Sequence, residues 1–158
     1  MKDSRSDGFT LLELMMVVLV IALVLAVSYP SLSRGSTALH LRATGRDVLN
    51  TFRYAREKAV TEQAAWRVTV DLQKQELVLS DNLGDQSRRY VPPGDVIIDR
   101  IRLGGNEAMD GPVIVRFLPN GSSDHAEIIL RSGTGSFLRI ISDPITGGAR
   151  IESGPGES

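Results

Sequence analysis

Cysteine is absent from this chain, and with it go the disulfide staple, the thiol nucleophile and the zinc–thiolate site. Stability must come from a packed core, and the missing thiols neither support nor exclude an oxidising compartment. Histidine occurs only at His40 and His125, in a helical pattern and a turn, which offers no histidine metal centre. A glycine-rich phosphate loop is missing as well. Net charge is nearly absent: 18 basic side chains oppose 19 acidic ones, and the balance of -1 gives no reason to expect nucleic acid or an anionic surface as the main partner. No cofactor and no metal are expected.

What the chain does have is one long hydrophobic run. From Phe9 to Val27 only Thr10 and Glu13 are not apolar, and at about 1.5 Å per residue a helix of that length reaches roughly 28 Å, close to a bilayer's hydrocarbon thickness. An ionised Glu13 inside such a helix costs on the order of 2.5 to 3.5 kcal/mol, so it calls for a partner. An ordinary secretory signal is one rival reading, with Lys2 and Arg5 as its basic start and Ala26-Val27-Ser28 as a small-x-small cleavage site. Against it, the run exceeds the usual apolar region of about 7 to 15 residues, and a carboxylate has no purpose in a segment to be discarded. A permanent single-span anchor is the other rival. Charge does not orient it, because Asp3 and Asp7 offset Lys2 and Arg5 while Arg34, Arg42 and Arg46 lie beyond the run.

Tyr29-Pro30 predicts a kink near Ala26 to Val27, since proline lacks an N–H and clashes with the preceding turn. Ser33, Gly35 and Ser36 form a small polar patch, the expected hinge or helix break. From Thr37 to Gln63 the pattern is amphipathic: Leu41, Gly45, Val48, Phe52, Ala55 and Ala59 recur at alternating four- and three-residue steps, with Leu49 and Val60 expected to widen the stripe. Arg53 and Glu57, and Lys58 and Glu62, stand four residues apart on the polar side.

The remainder reads as strands. Trp66 to Val70 and Glu76 to Leu79 flank a turn at Leu72-Gln73-Lys74; further runs are Arg88 to Val91, Val96 to Leu103, Val113 to Leu118, Glu127 to Arg131, Ser136 to Ser142 and Ala149 to Glu152. Pro92-Pro93-Gly94, Gly104-Gly105-Asn106, Pro119-Asn120-Gly121, Gly133-Thr134-Gly135 and Pro144 to Gly148 separate them as turns or loops, which favours antiparallel meanders in one curled sheet or two packed ones. Asn120-Gly121 is a good hairpin turn because both residues tolerate positive φ. Residues 154–158 are expected to be disordered.

Catalytic chemistry is sparse. Ser122-Ser123-Asp124-His125 holds a serine, an acid and a histidine, but neighbours in one turn do not arrange nucleophile, base and orienter, so a solvated loop is expected. Asp81 to Asp85 offers oxygen ligands and a glycine without EF-hand spacing and reads as a polar surface loop. Eight arginines, Arg88, Arg89, Arg100, Arg102, Arg116, Arg131, Arg139 and Arg150, could line a basic stripe, yet acidic residues are interspersed throughout.

Gly8-Phe9-Thr10-Leu11-Leu12-Glu13, after a short polar leader and ahead of the apolar run, resembles the class III signal of type IV pilins and pseudopilins. The resemblance implies cleavage after Gly8 by a prepilin peptidase, methylation of the new N-terminus at Phe9, and neutralisation of Glu13 by a terminal amine, its own or a neighbour's, which would make Glu13 an assembly determinant. The second half is similar to the GspH/FimT group in Phe117 to Ser122, Glu127 to Leu130, Phe137 to Ile141 and Gly148 to Ile151. That likeness implies an α+β, type IV pilin-like fold: a long N-terminal helix packed on an antiparallel sheet or two-sheet sandwich. The implied divisions are a leader over 1–8, a membrane and filament-core helix over 9–35, a periplasmic domain over 36–153 (helix 36–64, β-domain 65–153) and the tail. The implied function is that of a minor pseudopilin, a non-enzymatic subunit of a type II secretion pseudopilus anchored once in the bacterial inner membrane. A minor type IV pilin of pilus biogenesis or DNA uptake, or an anchored periplasmic binding module, are the alternatives. Implied partners are other pseudopilins, the prepilin peptidase, the inner-membrane assembly platform and membrane lipid. Nucleic acid is not expected, because Gly148-Ala149-Arg150-Ile151 carries one arginine where DNA-binding members of the group carry a pair.

Overall fold

The computed structural model describes residues 10–81, 83–84, 86–108 and 111–153, the side chains of 26–35 and 86–87 excepted. Gly8, Phe9 and the C-terminal tail lie outside the described residues. Among the described residues one helix, α1 (Leu11–Glu62), precedes nine strands: β1 (Trp66–Asp71), β2 (Glu76–Ser80), β3 (Gln86–Tyr90), β4 (Val96–Leu103), β5 (Asn106–Ala108), β6 (Pro112–Phe117), β7 (Ala126–Ser132), β8 (Phe137–Ser142) and β9 (Ala149–Ser153). The chain divides into two compact units, Met1–Ser36 and Thr37–Ser158.

In the first unit Thr10 starts the helix. Its hydroxyl accepts the Glu13 N–H at 3.2 Å, and its carbonyl accepts Glu13 N–H at 3.1 Å and Leu14 N–H at 3.2 Å. This is the N-cap arrangement, which satisfies donors the first turn would otherwise leave open. The helix continues through Pro30 and Gly35, so the alternative of a helix break is not found. One proline removes one hydrogen bond and one glycine costs about 1 kcal/mol, too little to end a helix of this length.

In the second unit the strands form two antiparallel sheets, ordered β3-β2-β1-β6 and β5-β4-β7-β8-β9. Leu41, Val48, Phe52, Ala55 and Ala59 of α1 share a single core with Val68, Val70, Leu77 and Leu79 of the first sheet and Ile98, Ile101, Ile128, Leu130 and Ile140 of the second. The stripe from Leu41 to Ala59 is therefore buried within this unit, while Leu49 is half-buried and Val60, expected to widen it, is 40% exposed; each large apolar side chain so buried contributes on the order of 1.5 to 3 kcal/mol. Gly45 lets the helix approach the second sheet: a Cβ there would stand 3.0 Å from Leu138 Cδ1.

Two features depart from the sequence reading. Gly104 and Gly105, with φ of 59° and 88°, are the two-residue turn of a hairpin, so the expected loop includes the short strand β5. The meander is also interrupted. β6 pairs with β1 across the first sheet, and after the Asn120-Gly121 turn only the bridge Phe117 to Ser123 forms before the chain crosses to the second sheet. The alternating burial of β6 matches that of β1, which places their apolar faces on the same core.

Candidate functional site

The residues singled out for processing and assembly begin with Gly8 and Phe9, which fall outside the described residues. Glu13 is exposed on the first turn of α1, three residues after the Thr10 cap, so Thr10-x-x-Glu13 has the spacing of a capping box. Beyond it, every side chain from Leu14 to Leu25 is exposed, Leu14 at 60% and Leu25 at 62% among them. A helix that is apolar all round must be covered by something outside itself. Among the described residues no helix is long and apolar enough to cross a membrane. The stretch whose side chains are described, Leu11 to Leu25, would reach roughly 22 Å against a hydrocarbon core of about 30 Å.

The serine, acid and histidine in the 122–125 turn are hydrogen-bonded into the fold, and the expected solvated loop is partly buried. Asp124 holds Arg116 through Nε at 2.9 Å, Nη2 at 3.1 Å and the backbone N–H at 3.0 Å. Burial pushes the Asp124 carboxyl up, but these contacts and the guanidinium charge outweigh it and leave the group below its ordinary range. Ser123 Oγ donates to the Asp143 carbonyl at 3.3 Å, and His125 Nδ1 lies 3.0 Å from the Ser142 carbonyl. Fully buried Ser142 receives the Ala126 N–H at 2.8 Å and donates to the Asp124 carbonyl at 2.7 Å. That staple was invisible in the sequence, where Ser142 merely ends an apolar run.

The Asp81 carboxylate is occupied by its own turn, accepting the Leu83 N–H at 2.9 Å. Among the described residues no group of three or more acidic or histidine side chains could hold a metal ion.

Seven of the eight arginines read as a possible basic stripe stand in ion pairs, Arg88 being the exception. Arg131 and Arg100 share Asp99 at 2.8 and 3.1 Å, Arg102 lies between Glu107 and Glu127 at 3.4 and 3.5 Å, and Arg139 meets Glu127 at 2.7 Å. Arg150 meets Glu152 at 2.8 Å, and Arg89 meets the buried Glu76. Arg88 lies over the Tyr54 ring, 5.1 Å from its centroid.

Residues 3–29 match the family profile described as the prokaryotic N-terminal methylation motif. Comparison with curated protein sequences gives no match. Two structures of the minor pseudopilin EpsH from the type II secretion system of Vibrio cholerae resemble the chain, with TM-scores of 0.61 and 0.60 at 13% and 14% identity. Each covers 75% of this chain, and 99% and 96% of the solved one. The type IV minor pilin FimU of Pseudomonas aeruginosa matches at a TM-score of 0.50 and 15% identity, over 73% of this chain and 88% of that one. The protein thus carries a prepilin-type N-terminal methylation motif on an α+β, type IV pilin-like fold shared with minor pseudopilins of the H type.

Proposed function

We propose that this chain is a minor pseudopilin, a non-enzymatic subunit of a type II secretion pseudopilus. The observation that carries this reading is the methylation motif over residues 3–29, joined through α1 to a globular unit with the EpsH-like fold. In this reading the precursor sits once in the inner membrane with its globular unit in the periplasm. A prepilin peptidase cuts after Gly8 and Phe9 becomes the methylated N-terminus. Glu13 then lies near a terminal amine, its own or that of the subunit below, and the cost of a charge among apolar helices favours the register in which that contact forms. The exposed wall from Leu14 to Leu25 is covered first by lipid and, after assembly, by the helices of other pseudopilins.

The second reading is a minor type IV pilin, supported by the likeness to FimU. The test is mass spectrometry of the chain co-expressed with a prepilin peptidase, then cysteine cross-linking to pseudopilin neighbours in a strain lacking the native copy. A methylated Phe9 terminus is expected, with neighbour cross-links lost in Glu13→Ala and protein export reduced. A mature terminus at Tyr29 would overturn the pilin reading, and intact export with lost surface pili would favour the type IV pilus.

A further inference from the structure

Strand β6 ends the first sheet, where β1 is its only strand partner among the described residues. Arg116 shows which backbone groups β1 leaves open. Its N–H donates to the Asp124 carboxylate at 3.0 Å and its carbonyl accepts the Asp124 N–H at 3.0 Å, so both groups point away from β1. Alternate residues of a strand turn their backbone groups to the same edge, so Ile114 presents its N–H and carbonyl there as well, and Pro112 its carbonyl. Proline suits that place, because the N–H it lacks would not have met β1. Val113 and Val115 turn theirs toward β1.

The chain itself begins a strand on this edge and then leaves it. The Leu118 N–H donates to the Ser122 carbonyl at 2.9 Å, Phe117 and Ser123 form an antiparallel bridge, and Asp124 closes on Arg116. The ladder does not continue opposite Ile114, because the chain from Ala126 onward pairs with β4 and β8 as strand β7. Beside Ile114 lies a cleft of about 690 Å³ with β6 on one wall and the β4–β5 hairpin on the other, Leu103, Ala108 and Ile114 among its lining. Leu103 and Ala108 pack against the core yet are only half-buried, and Ile114 is 44% exposed. At the rim Arg116 is held by Asp124 and Glu107 by Arg102.

We propose that this edge takes up an extended segment of a partner protein as an added strand, its backbone bonded to Ile114 and to the Pro112 carbonyl and its side chains set in the cleft against Leu103 and Ala108. A donor and an acceptor on one strand edge select an extended backbone. A helix bonds its own backbone groups, and a phosphate surface accepts hydrogen bonds but donates none to the Ile114 carbonyl. The segment is short, about three residues, since Asp124 closes the ladder at Arg116 and Pro112 has no donor. The residue paired with Ile114 lies beside that exposed side chain while its two neighbours point into the cleft, so apolar residues are favoured there. A second copy of β6 does not fit: an antiparallel pair centred on Ile114 would set Pro112 opposite Arg116, whose N–H is already taken by Asp124. The edge belongs to the globular unit, so its occupancy does not depend on processing at Gly8.

The test uses the full chain in non-ionic micelles and a fluorescent six-residue peptide of alternating valine and threonine, with the same side chains on a fully N-methylated backbone as control. The first peptide should bind with little dependence on salt, because no unpaired charge is engaged, and the N-methylated one at least tenfold more weakly. Ile114→Pro removes an N–H that β1 does not use and should weaken binding at least tenfold. Amide hydrogen exchange on the wild-type chain keeps the test valid if that variant folds poorly. The Ile114 amide should exchange fast without peptide and at least tenfold more slowly with it, while Val113 and Val115 stay protected in both. Equal binding of the two peptides, unchanged binding in Ile114→Pro, or an Ile114 amide that peptide does not slow would each overturn the proposal. Protection of Ile114 that grows with protein concentration alone would overturn it in favour of pairing between copies of this chain.

Discussion

Phe52 of α1 and Phe117 of β6 meet edge to face, their ring centroids 5.4 Å apart and their planes at 68°, both fully buried. This contact ties the helix to the far edge of the first sheet, since β6 is the last strand in that sheet's order. Phe52→Ala should destabilise the globular unit by about 3 to 5 kcal/mol, combining lost burial, the cavity and a pair worth about 0.5 to 1.5 kcal/mol. The readout is the urea midpoint of a fragment beginning at Thr37, where the compact unit begins. An unchanged midpoint would mean that the ring does not belong to this core.

Gly147 should be the least replaceable glycine of the β-domain. A Cβ there would stand 2.2 Å from the Gly121 carbonyl oxygen and 3.1 Å from Arg56 Cδ, and its φ is 59°. Gly147→Ala must push two turns and α1 apart, at a cost of about 1 to 3 kcal/mol from overpacking in addition to the left-handed backbone. Gly135→Ala, with a φ of 84° but open space around it, should carry the backbone cost alone. Equal losses in the two variants would show that the close approach to Gly121 adds no steric cost.

Stability should fall in acid in a way that Asp143 partly controls. Its carboxylate accepts the N–H groups of Thr146 and Ile145, each at 2.9 Å, and these bonds, led by that of Thr146, hold its pKa below the ordinary range. A folded pKa below the unfolded value of about 3.9 stabilises the fold fully above that value, and the contribution is lost as pH falls through the folded pKa. Asp143→Asn keeps an acceptor oxygen without the titration, so its unfolding midpoint should fall less steeply below about pH 4 than that of wild type. An unaltered acid slope would remove Asp143 from the account and leave Asp71 and Asp124, whose pKa values are also lowered.

The capping-box spacing of Thr10 and Glu13 allows charge and helix capping to be separated. Glu13→Gln retains a side-chain oxygen that can accept from the first turn, whereas Glu13→Ala does not. Both remove the charge and should ease residence in the membrane by about 2 to 3 kcal/mol. If the charge registers the subunit, both variants should lose cross-links to neighbours. If the cap alone matters, the glutamine variant should keep them.

Gln75 offers a further check on how the two sheets are joined. Its φ is 53°, and its amide accepts the Ile98 N–H at 2.7 Å and donates to the Ile98 carbonyl at 3.0 Å. Gln75→Ala leaves both backbone groups of Ile98 without that partner and should cost about 1 to 3 kcal/mol in the unfolding midpoint. Gln75→Asn, one methylene short of the reach, should cost nearly as much. A neutral result would show water taking over both bonds.

The sequence by itself determined the local structure, because local structure rests on short-range rules. The apolar stripe from Leu41 to Ala59 marked the buried face of α1, and the glycine, proline and asparagine clusters marked the ends of the strands. The methylation motif is legible for the same reason, as a fixed order of neighbouring residues. Tertiary structure decided what depends on distant partners. β6 chose β1 over β7, and three-residue β5 exists only because β4 lies beside it. Buried Ser142 found its donor and acceptor across the strand pair. Seven arginines on the sheets found carboxylates, whereas Arg42, Arg46 and Arg53 of α1 have none among the described residues. Composition counted them alike, since a carboxylate within 4 Å in space leaves no trace in spacing along the chain.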